Sequence, residues 1–475
     1  YSGDPAYFCC RARKMVRMLM NVRPALPKGT RDFNAEQVVK RNFIRDTIVG
    51  AYERFGFEPL ETPAMELLST LTGKYGAEGD QLLFRILKSG DFLRSADATA
   101  LSKKDARAVL PEIAEKGLRY DLTVPFARYV VMNQHNLTMP YRRYQVQPVW
   151  RADRPQKGRY QEFWQCDADV VGTNSMLSEV EFIQIYHEVF QKLGIKAKLR
   201  INNRKILHGM ASLIKAHEFF IPICTAIDKM DKIGAEGVRE ELLRLGLSND
   251  QVAELEQLLA LEGSNMMRLN ELADRFAGSW IEPKGIEEMW EILSYTSQLG
   301  LESLQVQFDL SLARGLSYYT GTIFEAVAPD HAIGSISGGG RYDDLTGIFG
   351  LPDMSGVGIS FGLERLFDIL EDQGWPVNFS RTGTRVVFLP FEAQGIPRAL
   401  ECLQQVRAAG IKAELYPDVE VKMGKKVKYA DKRGIPFAAV LGPDEIASDT
   451  VTLKELATGN QESLSLDELV NRLLA

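Results

Sequence analysis

Apolar positions recur at three- and four-residue steps through Phe43, Ile44, Ile48, Tyr52 and Phe55, which predicts a helix with one buried face. Asn34 is placed to cap its start and Gly56 to stop it near Phe55. Phe57–Pro63 follows as an extended segment. Over 141–169 the period becomes two. Tyr144, Val146 and Trp150 alternate with Arg143, Gln145 and Arg151, so this stretch reads as strands, and Pro148 argues for an edge or a bulge. Residues 175–193 return to a helical pattern. Residues 204–300 carry almost no strand signal and read as several helices, broken near Gly246, Gly263 and Pro283. Strand signals resume at Leu304–Leu312 and Thr322–Ala328, and a helix follows Gly362. The pattern is that of an α+β domain interrupted by a helical insertion at about 204–300.

Gln373–Thr384 holds Gly374, Pro376, Asn378, Ser380 and Gly383, the composition of a linker. Beyond it, short apolar runs at Val386–Pro390, Ala413–Tyr416 and Phe437–Leu441 alternate with helical stretches near 396–408 and 424–433. A small α/β domain is expected over 385–475, closed by a helix that the capping box Ser465-x-x-Glu468 starts. At the other end, the first twenty residues carry Arg11, Arg13, Lys14 and Arg17 against Asp4 alone. Residues 1–23 are expected to be a disordered extension, with a true start near Met15, Met18 or Met20; a short targeting peptide is the other reading. Residues 24–372 then form the main domain and 373–384 the linker.

Composition changes this picture little. Of 475 residues, 45% are hydrophobic and 25% charged, as in soluble globular proteins. No apolar run reaches the roughly 18 residues of a membrane helix. The net charge of −6 gives no global signal for nucleic acid, so any such contact must be local. Cys9, Cys10, Cys166, Cys224 and Cys402 show no C-x-x-C spacing, so neither zinc nor a disulfide framework is expected, and a reducing cytoplasm is the simplest setting.

Candidate chemistry gathers in a few segments. Trp150–Gln165 reads as strand, basic turn and return strand, with Arg151, Arg154, Lys157 and Arg159 close together. Such fixed positive charge suits a polyphosphate, although basic turns are often merely solvated. If 161–169 is a strand, Phe163, Gln165 and Asp169 share one face while Trp164 and Cys166 point the other way. An aromatic, an amide and a carboxylate in a row suit a ring to stack on and polar groups to bind; the plain alternative is a solvated sheet face. In Asp309–Thr322, Arg314 precedes Gly315 and a Tyr318-Tyr319 pair. A guanidinium in that apolar setting needs an anionic partner, whereas either tyrosine could equally be core. The triplet in Ser337-Gly-Gly-Gly-Arg-Tyr342 lets a ligand approach the backbone, although such triplets also make ordinary turns. Arg365 falls in the first turn of a helix, where dipole and free amides favour anions. A cationic half beside an acid-and-amide half suits the joining of an amino acid to a nucleotide.

Together these segments resemble the class II aminoacyl-tRNA synthetases and, among them, the histidyl-tRNA synthetase family. Gly56-Phe-x-x-Leu-x-x-Pro63 matches the first motif of the class, Trp150-Arg151 through Gln165 the second, and Gly362-Leu-Glu-Arg365 the third. The histidine-specific signature is Arg314-Gly-Leu-Ser-Tyr-Tyr-Thr320 with Ser337-Gly-Gly-Gly-Arg-Tyr342, and Leu118–Arg128 is also typical. The match runs from about residue 24 to the C terminus. It implies an antiparallel-sheet class II catalytic domain with a helical insertion, and a C-terminal α/β anticodon-binding domain. The implied activity activates L-histidine with ATP to histidyl-adenylate and pyrophosphate, then moves histidine to the 3′ end of tRNA(His).

The resemblance also implies roles for single residues. Asp121, Thr123 and Gln165 would hold the histidine α-amino group. Asp169 and Tyr319 would hydrogen-bond the imidazole, with Tyr318 lining the pocket. Arg151 would bind the α-phosphate and the substrate carboxylate, Arg159 and Arg365 the outer phosphates, and Phe163 would stack on adenine beside Asp153. Arg314 would stabilise the charge that develops at the α-phosphorus. Mg2+ is implied with ATP, zinc is not, and no metal-ligand set is identifiable. A cytoplasmic homodimer formed through the segment around Gly56–Pro63 is implied as well. Lys422, Lys425 and Lys426 open a basic cluster that would meet tRNA backbone, or else form a solvated helix face. The insertion would lean on the acceptor stem, or serve as scaffold. Two positions depart from the pattern. Position 317, often Asp in the family, is Ser here, so a carboxylate bracing Arg314 is either missing or supplied elsewhere. Position 153, commonly Glu in the class, is Asp. The rival readings are a non-catalytic regulatory subunit and a tRNA-sensing module. The chain retains Arg314 and residues 385–475, which such regulatory paralogues lose, and it carries no kinase signature.

Overall fold

The structure, a computed structural model, describes residues 24–72, 82–156, 158–279, 281, 283–314, 319–343, 346–377, 379 and 383–474. Two compact units separate: Ile44–Pro376 makes most of the first and Val377–Ala475 most of the second.

The first unit is built on an eight-stranded sheet in the order β1-β5-β6-β11-β10-β9-β7-β8. Its strands are β1 (Glu58–Pro59), β5 (Tyr141–Trp150), β6 (Glu162–Val171), β7 (Ala197–Asn203), β8 (Leu304–Phe308), β9 (Thr322–Val327), β10 (Ser335–Tyr342) and β11 (Gly356–Gly362). The expected antiparallel sheet is present, but its margins are parallel: β1 pairs with β5, and β7 with β8, in the same direction. A second, three-stranded sheet joins β2 (Met65–Leu67), β4 (Ala114–Leu118) and β3 (Arg85–Leu87). Pro148 sits within β5, opposite Trp164 of β6, and the neighbour on the other side, β1, reaches only Arg143 and Tyr144. Its missing N–H therefore falls on the side of β5 that no strand pairs.

The long first helix spans Ala35–Arg54. Asn34 Oδ1 accepts from Gln37 N–H at 2.9 Å and Gln37 Oε1 accepts from Asn34 N–H at 3.0 Å, a reciprocal cap. Gly56 takes the left-handed conformation, φ 76°, that ends it. Tyr52 from this helix and Tyr186 and Phe190 from the helix Leu177–Leu193 all pack around Phe361 of β11. Phe361 pairs with Cys166 of β6, and both are buried. The back of β6 and β11 is thus apolar and covered, which commits their alternate residues to the front.

The insertion is the crossover that parallel neighbours require, leading from β7 to β8. Its helices include Arg204–Leu213, Phe220–Ile227, Met230–Arg244, Asn249–Leu259, Asn265–Ala277 and Lys284–Thr296. The breaks lie where the sequence puts them: Ser248 and Ser264 cap new helices just after Gly246 and Gly263, and Pro283 precedes the last. β8 stops at Phe308, short of the expected Leu312. Asp309 turns the chain there by accepting the Ser311 N–H at 2.9 Å, and it pairs with Arg200 Nε at 2.7 Å.

The second unit carries a five-stranded sheet in the order β13-β12-β14-β15-β16: β12 (Val386–Pro390), β13 (Ala413–Leu415), β14 (Phe437–Leu441), β15 (Val451–Glu455) and β16 (Gln461–Leu464). Val386 and Phe388 face one core with Cys402 and Leu469; Val387 and Leu389 face another with Ala430 and Ile435. Both faces are covered, as a sheet with parallel central strands requires. Cys166, Cys224 and Cys402 are free and buried, while Cys9 and Cys10 lie outside the described residues.

One buried ion pair ties the first unit together. Arg341, at the end of β10, meets Glu179 with Nε to Oε1 at 2.6 Å and Nη2 to Oε2 at 2.7 Å. Its remaining donors go to Ser355 Oγ and the carbonyls of Thr173 and Ser175. Both partners are almost wholly buried. Glu179→Ala would leave that guanidinium uncompensated, and we expect a loss of about 3–5 kcal/mol. Urea unfolding measures it.

Candidate active site

A cavity of about 450 Å³ opens on the front of β6, β10 and β11, within the roughly 300–1,000 Å³ usual for small-molecule sites. Its floor is backbone. Gly358, Ser360 and Gly362 of β11 stand opposite Asp169, Asp167 and Gln165 of β6. Gly340 and Gly338 of β10 stand opposite Gly358 and Ser360. A Cβ on Gly358 would fall 2.1 Å from Asp169 Oδ1, and one on Gly340 2.8 Å from the Tyr319 ring. Those two glycines make room for the site's own side chains. Gly338, Gly339 and Gly358 also line the cavity.

One half is acidic and phenolic. Asp121 is buried ahead of the helix Thr123–Asn133, and its Oδ1 accepts the Val124 N–H at 3.3 Å. Gln165 Nε2 donates to Ser360 Oγ at 3.0 Å, which leaves its buried Oε1 without a hydrogen-bond partner. Asp169 accepts the Tyr342 hydroxyl at 2.7 Å on Oδ1 and meets Arg143 Nη2 at 2.7 Å on Oδ2. Arg143 is 0% exposed and its guanidinium lies 4.2 Å over the Phe126 ring. Burial pushes the Asp169 carboxyl above its ordinary value, against the pull of Arg143 and Tyr342. Tyr319 and Thr123 complete this wall. Tyr318 and Ser317 lie outside the described residues, as does Lys157.

Asp167 also lines this half. Burial drives its carboxyl up to about 7; Asp169 and Asp121 add to the shift, and Arg143 opposes it. Asp167 continues the period-two row Phe163, Gln165, Asp169, which is the sequence signal for it. Tyr342 carries no local signal of its contact with Asp169, which the pairing of β10 with β11 and of β11 with β6 creates.

The other half is cationic. Arg151 Nε donates to the Tyr120 carbonyl at 2.8 Å, and its guanidinium lies 5.1 Å from the centre of the Phe163 ring. Arg365 Nε donates to the Gly158 carbonyl at 2.9 Å, and Nη1 donates to the Ser335 carbonyl. Arg159 Nη1 lies 3.9 Å from Asp153. Burial, then the charges of Arg159, Arg314 and Arg151, hold the Arg365 guanidinium below its ordinary value. Mutual repulsion of that kind is relieved by an anion.

Arg314 stands beside the cavity wall rather than in it. It donates to Ser335 Oγ and lies 2.6 Å from Glu325 and 3.4 Å from Asp228. Glu325, on β9, is 3% exposed and is held in turn by Arg200 at 3.1 Å. A carboxylate therefore does brace Arg314, from β9. Local sequence gives no sign of it, because the β9–β7 pairing that creates it joins residues 125 apart.

Both units have counterparts among known proteins. Residues 114–366 match the family model for histidyl-tRNA synthetase, and residues 385–475 the model for an anticodon binding domain. A histidine–tRNA ligase of Christiangramia forsetii is 49% identical over 457 residues, covering 96% of this chain and 100% of that protein. The chain belongs to the histidyl-tRNA synthetase family. A crystal structure of histidyl-tRNA synthetase from Nostoc sp. PCC 7120 superposes with a TM-score of 0.80 at 31% identity, over 96% of this chain and 99% of that one. A Bacillus halodurans structure described as an ATP phosphoribosyltransferase regulatory subunit/histidyl-tRNA synthetase shares the fold, with a TM-score of 0.69 at 22% identity over 86% of this chain and 97% of that one.

In the anticodon binding domain of this synthetase-family chain, one basic candidate is corrected. Lys426 is 1% exposed, and its ammonium donates to the carbonyls of Pro390 at 2.6 Å and Val419 at 2.9 Å. It pins the loop ahead of the helix Met423–Arg433 to the end of β12 and is not offered to a phosphate. Burial holds it below its ordinary value. Lys422 and Lys425 remain exposed. Lys426→Ala is expected to destabilise this unit by about 1.5–3 kcal/mol, whereas Lys425→Ala stays within about 0.5 kcal/mol of the parent. Thermal unfolding of both variants separates the two roles.

Proposed function

We propose that this chain is a ligase that activates L-histidine with ATP and transfers it to the 3′ end of tRNA(His). The observation that carries the reading is the polarity of a single cavity. Along β6, Phe163 lies at the arginine-lined end and Asp169 at the acidic end, with Gln165 between. A nucleotide triphosphate suits the first end and a cationic amino acid the second.

In this reading Asp121, Thr123 and Gln165 hold the α-amino group, and Asp169 and Tyr319 the imidazole, with Tyr318 beside them. Arg151 bridges the substrate carboxylate and the α-phosphate. Arg159 and Arg365 take the outer phosphates, Phe163 stacks on adenine and Asp153 faces it. The histidine carboxylate attacks the α-phosphorus in line and pyrophosphate leaves. The attacker is already anionic, so no strong general base is needed, and positioning with charge neutralisation dominates. Arg314, braced by Glu325, supplies fixed positive charge at the reacting centre.

Among the described residues no group of three or more His, Cys, Asp or Glu could hold a metal by itself. Glu364 lines the arginine-rich half, with one carboxylate oxygen on the Trp164 N–H. That donor set fits Mg2+ bound mainly by nucleotide phosphates, where it would neutralise phosphate charge. The same reading takes 24–372 as the catalytic domain and 385–475 as the anticodon module, with Lys422 and Lys425 toward tRNA backbone. It also includes a homodimer formed around Gly56–Pro63. The exposed Met65, Leu67 and Leu87 of the neighbouring small sheet support this, as apolar surface that a partner would cover. Among the described residues no helix is long and apolar enough to cross a membrane, which is compatible with work in the cytoplasm.

Amino-acid-dependent ATP–pyrophosphate exchange across all twenty amino acids tests the reading, and histidine alone should support it. Arg314→Ala should lower that exchange by about 100- to 1,000-fold while the protein still folds and unfolds cooperatively. Near-normal exchange would remove Arg314 from the mechanism.

A further inference from the structure

We propose that Asp167 is a further substrate-binding residue, whose carboxylate receives the α-ammonium group of histidine between Gln165 and Asp169. The proposal rests on the histidine reading of the cavity. Successive same-face positions on a strand lie about 6.8 Å apart, so Gln165, Asp167 and Asp169 form a row along β6, and all three line the cavity. If Asp169 takes the ring and Gln165 the amino end, Asp167 lies between them, within reach of the Cα substituents.

Two further observations point to a ligand. Asp167 is 2% exposed, and its Oδ1 is buried with no hydrogen-bond partner. Its other polar contact is Ser360, directly opposite on β11. Asp167 is a residue of the cavity wall, and a buried carboxylate oxygen without a donor is costly unless something compensates it. The charge inventory says what that is. The groups that face Asp167 are Arg143 on β5, Asp169 on its own strand, Asp121 and Arg119 from the segment before the helix Thr123–Asn133, and the phenols of Tyr52 and Tyr186 behind the sheet. Arg119 is spent on Thr62, Gln147 and the Pro148 carbonyl. Arg143 lies against Asp169. Asp167 and Asp169 thus share the Arg143 guanidinium, one positive charge for two buried carboxylates. A protonated amine beside the row supplies the missing positive charge.

A pH dependence follows. The Asp167 carboxyl, raised from 3.8 to about 7, holds a proton in the free protein below that value. Its charge is present above about pH 7 and is lost as pH falls through it. Histidine binding near neutrality must therefore expel a proton from Asp167, and affinity should weaken on acidification.

Asp167→Asn tests this by steady-state pyrophosphate exchange. The expected result is a histidine KM raised about tenfold or more, an unchanged ATP KM, and loss of the inflection near pH 7 expected of the parent. Inhibition by 3-(imidazol-4-yl)propionate, which keeps ring and carboxylate but lacks the amine, should be unaffected. An unchanged histidine KM and pH profile, or equal weakening of the deamino inhibitor, overturns the proposal. Calorimetry on the parent protein needs no variant. In buffers of different ionisation heat, histidine should release more protons on binding at neutral pH than the deamino compound, because ring ionisation is common to both. Equal proton counts overturn the proposal. A parent protein with no histidine-dependent exchange would instead remove the reading of the cavity itself.

Discussion

The Arg341–Glu179 pair is the constraint on which the binding face depends. A buried charge pair holds only if every donor is met, and here each of the three guanidinium nitrogens has an oxygen partner. The consequences run both ways along the chain. The Arg341 carbonyl accepts the Thr320 N–H at 2.8 Å, which fixes the residue after Tyr319. The next residue, Tyr342, reaches Asp169. One ion pair thus sets the position of two phenols at the acidic end. At the far end of the same strand, Ser335 contacts both Arg314 and Arg365. β10 is the beam that connects the two halves of the site.

Charge separation along β6 is costly without ligand. Arginines crowd one end and carboxylates the other; Arg365 and Asp167, shifted first by burial, are shifted further by like neighbours. This is local conflict of the kind found at functional sites. A zwitterion at one end and a polyanion at the other would relieve both strains together, so the geometry stores its preference for the pair of substrates in advance.

How much could be read in the sequence depended on how local each cause was. The helix Ala35–Arg54 was legible because its cap, its period and its stop signal all lie within twenty-five residues. The insertion's breaks were legible for the same reason. Glu325 was not, since it sits in an apolar run and gains its meaning from β7, Arg200 and Arg314. Lys426 was misread because it lies among lysines. Yet Met423, Val427 and Ala430 share its core-facing side of the helix, and helical spacing was the available warning. Asp167 was missed on a face that had already been identified, by choosing residues one at a time rather than following the period.

The backbone floor of the cavity bears on how this family member can change. Gly358, Ser360, Gly338 and Gly340 hold almost no side chain to remove. Substitution there can only subtract space, and at Gly358 it would displace Asp169 directly. The site already stands at its size limit from below. Acceptance of a bulkier amino acid would have to come from the walls, at Tyr319 or Tyr342, while rejection of one needs no more than a methyl group in the floor.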